Sequence, residues 1–161
     1  GEAGHIRLSE YGPSGYGKLG SVEGYCSGNG IAQLAKNRVR EVLQTGKAVD
    51  FCKSVSELEN ITAKSLFIAA EGGSKLAKDI FAEVGDYFGL GLSYLIDILN
   101  PERIIVGGVY MRAHKYIDKT MRARIKKECL SVPAKVKVLP AGLGEKIGDY
   151  AALSIAASQK A

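Results

Sequence analysis

From Leu76 to Leu99 apolar residues recur at spacings of four and three: Leu76, Ile80, Val84, Phe88, Leu92, Leu95 and Leu99. That rhythm fits a helix and excludes a strand, which would alternate with period two. Ser74 stands where an N-cap belongs. Asn100-Pro101 closes the run, because the residue before a proline is driven out of helical geometry. Gly85, Gly89 and Gly91 inside it each cost about 1 kcal/mol against alanine. Their return is either close approach by another backbone or a break into two helices.

The elements around this run alternate in type. Downstream, Arg103 to Val106 reads as a buried-type strand that stops at Gly107-Gly108, and a helix is predicted from about Ala113 to Cys129. Pro133 separates that helix from an alternating strand, Lys135 to Leu139. Gly142-Leu143-Gly144 then turns into a closing helix from Lys146 to about Ser158. Upstream, Ile31, Leu34, Ala35, Val39, Val42 and Leu43 share one helical face, with Gly46 as the stop signal. Ser54-Val55-Ser56-Glu57 offers another helix start, and a short helix from about Thr62 to Glu71 ends at Gly72-Gly73. Strands alternating with helices predict an α/β fold with a mostly parallel sheet.

At 161 residues the chain can bury a sizeable core, and apolar residues at 46% with charged residues at 24% are ordinary globular values. No apolar run is long enough to span a bilayer, so a soluble, cytoplasmic protein is expected, with no membrane partner. Cys26, Cys52 and Cys129 are far apart, which argues against a disulfide framework and a cysteine zinc site. The net charge of +5 is carried locally by Arg122, Arg124, Lys126 and Lys127. Ile117, Met121, Ile125 and Cys129 repeat every four residues beside them, so the charges are expected on the solvated face of a helix. No aromatic is interleaved with them to stack a base. The chain opens at Gly1 without a methionine, as the middle of a longer protein would.

The first thirty residues are the least regular. A short extended stretch, His5 to Leu8, leads into turns punctuated by Gly12, Gly15, Gly17, Gly20, Gly24, Gly28 and Gly30. Tyr11, Tyr16 and Tyr25 make this an ordered loop rather than a linker. Three places could carry chemistry. Glu2 and His5 sit three apart across Ala3-Gly4, so a carboxylate and an imidazole can be aimed at one small volume, suiting a polyhydroxylated ligand or simply facing solvent. The loop from Gly12 to Glu23 lets backbone amides approach a ligand and ends in an acid, though its spacing is not that of a P-loop. The strand ending at Gly107-Gly108 and followed by a helix is either a nucleotide-side turn or a plain connection.

In this order the segments resemble the ROK family (repressors, open reading frames, kinases). The resemblance rests on Gly1-Glu2-Ala3-Gly4-His5, the glycine loop leading to Glu23 and Tyr25-Cys26-Ser27-Gly28, Asn100 through Gly108, and Ala141-Gly142-Leu143-Gly144 running into Gly148-Asp149-Tyr150-Ala151-Ala152. It implies an actin-like ATPase (ribonuclease H-like) fold, of which this chain would be a single C-terminal lobe. Residues 1–30 would form the sugar-binding glycine loop, 31–99 a helical part and 103–158 a nucleotide-side α/β part.

The resemblance further implies an ATP-dependent kinase acting on a hexose or N-acetylhexosamine. Glu2, His5 and Glu23 would bind sugar hydroxyls, and Gly107 and Gly108 would lie beside ATP and its Mg2+. The family's catalytic aspartate and first phosphate loop belong to an N-terminal lobe upstream, so no catalytic residue is expected here and the fragment alone should be inactive. A homodimer is also implied. The alternative is the sugar-sensing lobe of a ROK repressor, the one case in which nucleic acid becomes a partner. Where the family's glycine loop carries zinc-binding cysteines, this chain has Ser14, Tyr16 and Ser21. No structural zinc is therefore expected, with the loop packed by Tyr16 and its neighbours instead and His5 deprived of a metal to orient it.

Overall fold

The computed structural model describes residues 1–130, 135–144 and 147–158. Pro133 and Lys146, where a loop and a helix start were expected, lie outside them. The architecture is mixed α/β and mostly helical. A 3-10 turn (Ala3–His5) leads to a hairpin, β1 (Ser14–Gly15) and β2 (Lys18–Leu19), then to a short helix α1 (Val22–Cys26) and the longer α2 (Gly28–Gln44). A second 3-10 segment (Val55–Asn60) precedes α3 (Ala63–Glu71) and α4 (Lys75–Leu99). Strand β3 (Arg103–Val106), α5 (Tyr110–Glu128), β4 (Lys137–Pro140) and α6 (Ile147–Ser158) complete it.

Helix α4 is the axis of the fold. Ser74 caps its first turn by accepting from the Ala77 amide, and Asn100 ends it in the left-handed conformation, φ 44°. The helix runs unbroken through its glycines, so of the two expected returns the close approach is the one realised. A Cβ on Gly89 would stand 2.5 Å from the Met121 carbonyl oxygen, and one on Gly85 would strike Thr120 and the Ile117 carbonyl. Helix α5 thus lies backbone-close along α4. It buries Ile117, Met121 and Ile125 there, with Cys129 just past its end. Phe81, Val84, Leu92 and Ile96 of α4 fill the same core with Ile31, Leu34 and Val39 of α2 and Leu66 of α3.

Four expectations change. The mostly parallel sheet reduces, among the described residues, to one parallel pair and one antiparallel hairpin. β3 and β4 pair in parallel with Arg103 opposite Lys137 and Ile105 opposite Leu139, joined through α5 as a βαβ unit. β3 is not buried on both faces, because only its inner face meets the core and Ile105 is 60% exposed. His5 to Leu8 is not a strand; His5 closes the 3-10 turn and Arg7 alone bridges to Ser21. Arg124 leaves the solvated face of α5, drawn against α4 by its ion pair to Asp86 and paired along its own helix with Glu128.

The hairpin turns on two residues, Tyr16 and Gly17, both at positive φ (49° and 75°). That is the mirror-image turn that matches strand twist, and it favours Asn-Gly. Tyrosine there is strained and also 82% exposed. The expectation that Tyr16 packs the glycine loop is therefore wrong, and Tyr25 does so: its hydroxyl donates to the Tyr11 carbonyl and its ring stacks on Tyr87. Tyr16→Asn should stabilise the protein by about 1 kcal/mol, raising the melting midpoint by roughly 2–4 °C, since asparagine tolerates the left-handed region. A midpoint that falls would mean Tyr16 makes a stabilising contact.

Candidate functional site

Helix α1 forms because Ser21, fully buried, caps it. Its hydroxyl accepts from the Gly24 amide at 3.0 Å and donates to the Lys18 carbonyl. The cap fixes the first turn, which carries Glu23. The Glu23 stem is seated against the hairpin so tightly that a Cβ on Gly15 would lie 2.7 Å from Glu23 Cγ. From the other side Glu2 caps the opening 3-10 turn, its Oε1 accepting from the Gly4 amide at 3.1 Å. The two acids meet over Gly4: a Cβ there would be 3.0 Å from Glu2 Oε1 and 3.5 Å from Glu23 Oε2. Among the described residues no cation pairs with either carboxylate. Two acceptor groups with spare lone pairs thus face one small volume, which suits hydroxyl donors.

His5 is placed differently. It is exposed, its carbonyl accepts from Lys18 Nζ at 2.7 Å, and its ring has no partner among the described residues. The structure sets Glu2 and Glu23 beside the same face of Gly4, and the His5 ring bonds to neither. Nor do the residues at the family's zinc positions suit a zinc ion. The Ser14 backbone bonds Gln33, the Ser21 hydroxyl is spent on the α1 cap, and Tyr16 points into solvent at the turn. No group of three or more His, Cys, Asp or Glu able to hold a metal occurs among the described residues.

The Gly107-Gly108 turn lies at the far end of α1. Cys26, the last residue of α1, faces a narrow cleft of about 60 Å3 with Val106, Gly107, Val109 and Tyr110. Burial there, with the Glu23 charge adding, pushes the Cys26 thiol up. Burial and the bond donated to Asp118 likewise raise Tyr110 above the ordinary phenol range. Both Gly107 and Gly108 are exposed, and Gly108 has φ 64°. Gly108 opens on a cavity of about 400 Å3 lined also by Ala63, Lys64, Val109, Met111 and Arg112. That volume falls in the range of small-molecule sites.

Two helix N-termini, those of α3 and α5, border this cavity, and Val109 gives α5 no side-chain cap. Their positive dipole ends and Lys64 favour an anionic ligand. A groove continues from Ala63 and Lys64 to Gly28 and Asn29 at the start of α2. Glu23 and Cys26 are three residues apart, about 4.5 Å along the axis. One short helix therefore ties the carboxylate pair to the glycine turn. Lys64 was not marked in the sequence; Lys18 and Tyr25 were read as part of an ordered loop, without the partners that tie it. The helix expected from about Thr62 located the start of α3, but nothing local told where its first turn points.

The ROK family model matches residues 1–159. A glucokinase from Halalkalibacterium halodurans is 32% identical over 124 residues, covering 76% of this chain and 36% of its own length. Mlc, a DNA-binding transcriptional repressor of Escherichia coli, is 28% identical over 130 residues, covering 80% of this chain and 30% of its own. The chain thus spans about a third of the length of these curated relatives. The crystal structure of a ROK family glucokinase from Streptomyces griseus in complex with glucose and AMPPNP superposes with a TM-score of 0.70 at 29% identity, covering 91% of this chain and 48% of that one. The similarity thus reaches both a phosphorylating enzyme and a regulator. No described helix is long and apolar enough to cross a membrane.

Proposed function

The chain belongs to the ROK family, and on that premise we propose that it is the C-terminal lobe of an ATP-dependent kinase for a hexose or N-acetylhexosamine. The observation that carries this reading is the convergence of Glu2 and Glu23 over Gly4, joined through α1 to the Gly107-Gly108 turn and its cavity. The 0.70 superposition on a glucokinase bound to glucose and AMPPNP supports the same pairing of a sugar side and a nucleotide side.

In this reading Glu2 and Glu23 accept hydrogen bonds from sugar hydroxyls, with the His5 ring turning in as a further partner. Fixing the hydroxyls fixes which oxygen faces the phosphate, and positioning of this kind supplies much of the rate of phosphoryl transfer. Gly107, Gly108 and the α5 N-terminus would hold the adenosine and phosphates, and Mg2+, when bound, would supply neutralisation of the phosphate charge. The carboxylate base belongs to that other lobe. No structural zinc takes part, and two such lobes pair in a homodimer.

The test is sugar-dependent ADP release by the full-length protein with glucose and N-acetylglucosamine. Release with either supports the kinase. The 28% identity to Mlc favours a second reading, a sugar-sensing lobe that regulates transcription. Sugar binding without ADP release, together with sequence-specific DNA binding that the sugar relieves, would replace the first reading by the second.

A further inference from the structure

The stretch from Ser9 to Gly20 hangs between the opening turn and α1, tied down by the side chains of Gln33, Tyr25 and Lys18. Gln33, near the start of α2 and half-buried, receives the Ser14 amide on Oε1 at 3.0 Å and donates Nε2 to the Ser14 carbonyl at 3.0 Å. One side chain thus satisfies both backbone groups of a residue, as a neighbouring strand would. Tyr25 ties the preceding turn. Its hydroxyl donates to the Tyr11 carbonyl at 3.1 Å and meets Ser9 Oγ at 2.9 Å, while its ring stacks on Tyr87 with centroids 3.6 Å apart. Lys18 Nζ anchors the returning strand on the His5 carbonyl.

These ties bear on the carboxylates. Ser14 is one peptide bond from Gly15, whose backbone lies against the Glu23 stem and the Gly24 amide. Where Gln33 holds Ser14 therefore sets where Gly15 presses, and with it the position of Glu23 relative to Glu2. We propose that Gln33 is a positioning residue for the Glu2–Glu23 pair, acting through the hairpin, and that this clasp supplies without metal the constraint on the glycine loop. The proposal rests on the sugar reading of that pair. Gln33 touches neither carboxylate; its effect runs through Ser14 and Gly15.

The experiment compares the full-length protein with its Gln33→Leu and Gln33→Glu variants, using glucose and AMPPNP as probes. Binding is read by calorimetry and the hairpin by amide hydrogen exchange. Gln33→Leu should speed exchange at Ser14 and weaken glucose binding about ten-fold, the equivalent of roughly one net hydrogen bond, with AMPPNP binding unchanged. Gln33→Glu keeps the acceptor and loses the donor, so it should fall between. Dialysis of the wild type against a chelator should leave hairpin exchange unchanged.

Faster hairpin exchange with unaltered glucose affinity would overturn the positioning role. So would parallel loss of glucose and AMPPNP affinity, which reports general loosening. Hairpin exchange that rises on chelation would show that a metal holds the loop and would overturn the metal-free clasp. A wild-type protein that binds neither glucose nor another hexose overturns the sugar reading itself, and the positioning role with it, whatever the exchange data show.

Discussion

Replacing Gly30 with alanine is expected to cost about 3 kcal/mol of stability, a large share of what a domain of this size has. Two effects oppose each other at this position. Gly30 lies inside α2, where alanine is the better helix former by about 1 kcal/mol. But α1 and α2 meet there backbone to backbone. A Cβ on Gly30 would overlap the Gly24 carbonyl oxygen and stand 2.5 Å from its carbon and 2.9 Å from the Glu23 carbonyl oxygen. Neither group is the far end of a flexible side chain, so relief requires sliding one helix off the other. The steric term wins. Gly28→Ala is the internal control, because a Cβ there meets only Val109 Cγ2 at an ordinary 3.8 Å. Denaturant melts of the two variants should separate them clearly. Equal midpoints would show that α1 does not seat on α2 in solution.

The second large effect concerns ligand rather than fold. Glu23→Gln keeps the shape of the side chain and removes its charge. Hydrogen bonds to charged groups are worth roughly 1.5–3 kcal/mol, so on the proposed kinase reading glucose affinity of the full-length protein should fall by about ten- to hundred-fold, with AMPPNP affinity unchanged. Glu23 is half-buried and Glu2 exposed, so Glu2→Gln should lose less. The double variant should lose less than the sum of the singles, because both oxygens face one volume over Gly4. Calorimetric titration measures all three. Strictly additive losses would mean that the acids serve separate contacts, and no loss in any variant would place the sugar elsewhere.

How much of this was legible depended on whether the signal was local. Periodicity placed α4 and the buried face of α5, and the cap Ser74 stands where the sequence put it, because hydroxyl-to-amide bonds span only three residues; Thr62, read as a first helical residue, is the cap of α3. The start of α2 was set three residues late, since Gly28 and Gly30 read as loop until one knows that Gly30 is needed for contact with α1. Helix α1 itself was hidden among glycines. Ser21 followed by an acid was the available hint, too short a run to show a period. Tyr16 and Tyr25 could not be told apart by residue type; which one packs the loop was decided by Tyr87, sixty-two positions beyond Tyr25. The convergence of Glu2 and Glu23 followed from the family pattern and not from spacing, because it needs a hairpin folded back between them.

Gly85, Gly89 and Gly91 occupy less than two turns of one continuous helix. At about 1.5 Å per residue the first and last are about 9 Å apart. Helix α5 is notched into Gly85 and Gly89, while Val22 of α1 sits in Gly91, 2.8 Å from where a Cβ would be. The offset between the bracket that bears Glu23 and the helix that follows Gly108 is thus graduated on a single rod, like marks on a gauge. A one-residue insertion between the marks would swing the α1 seat by about 100° around the rod. Notches of this kind oppose gradual slippage, so the distance between the seat of α1 and that of α5 is set by the spacing of glycines along one helix.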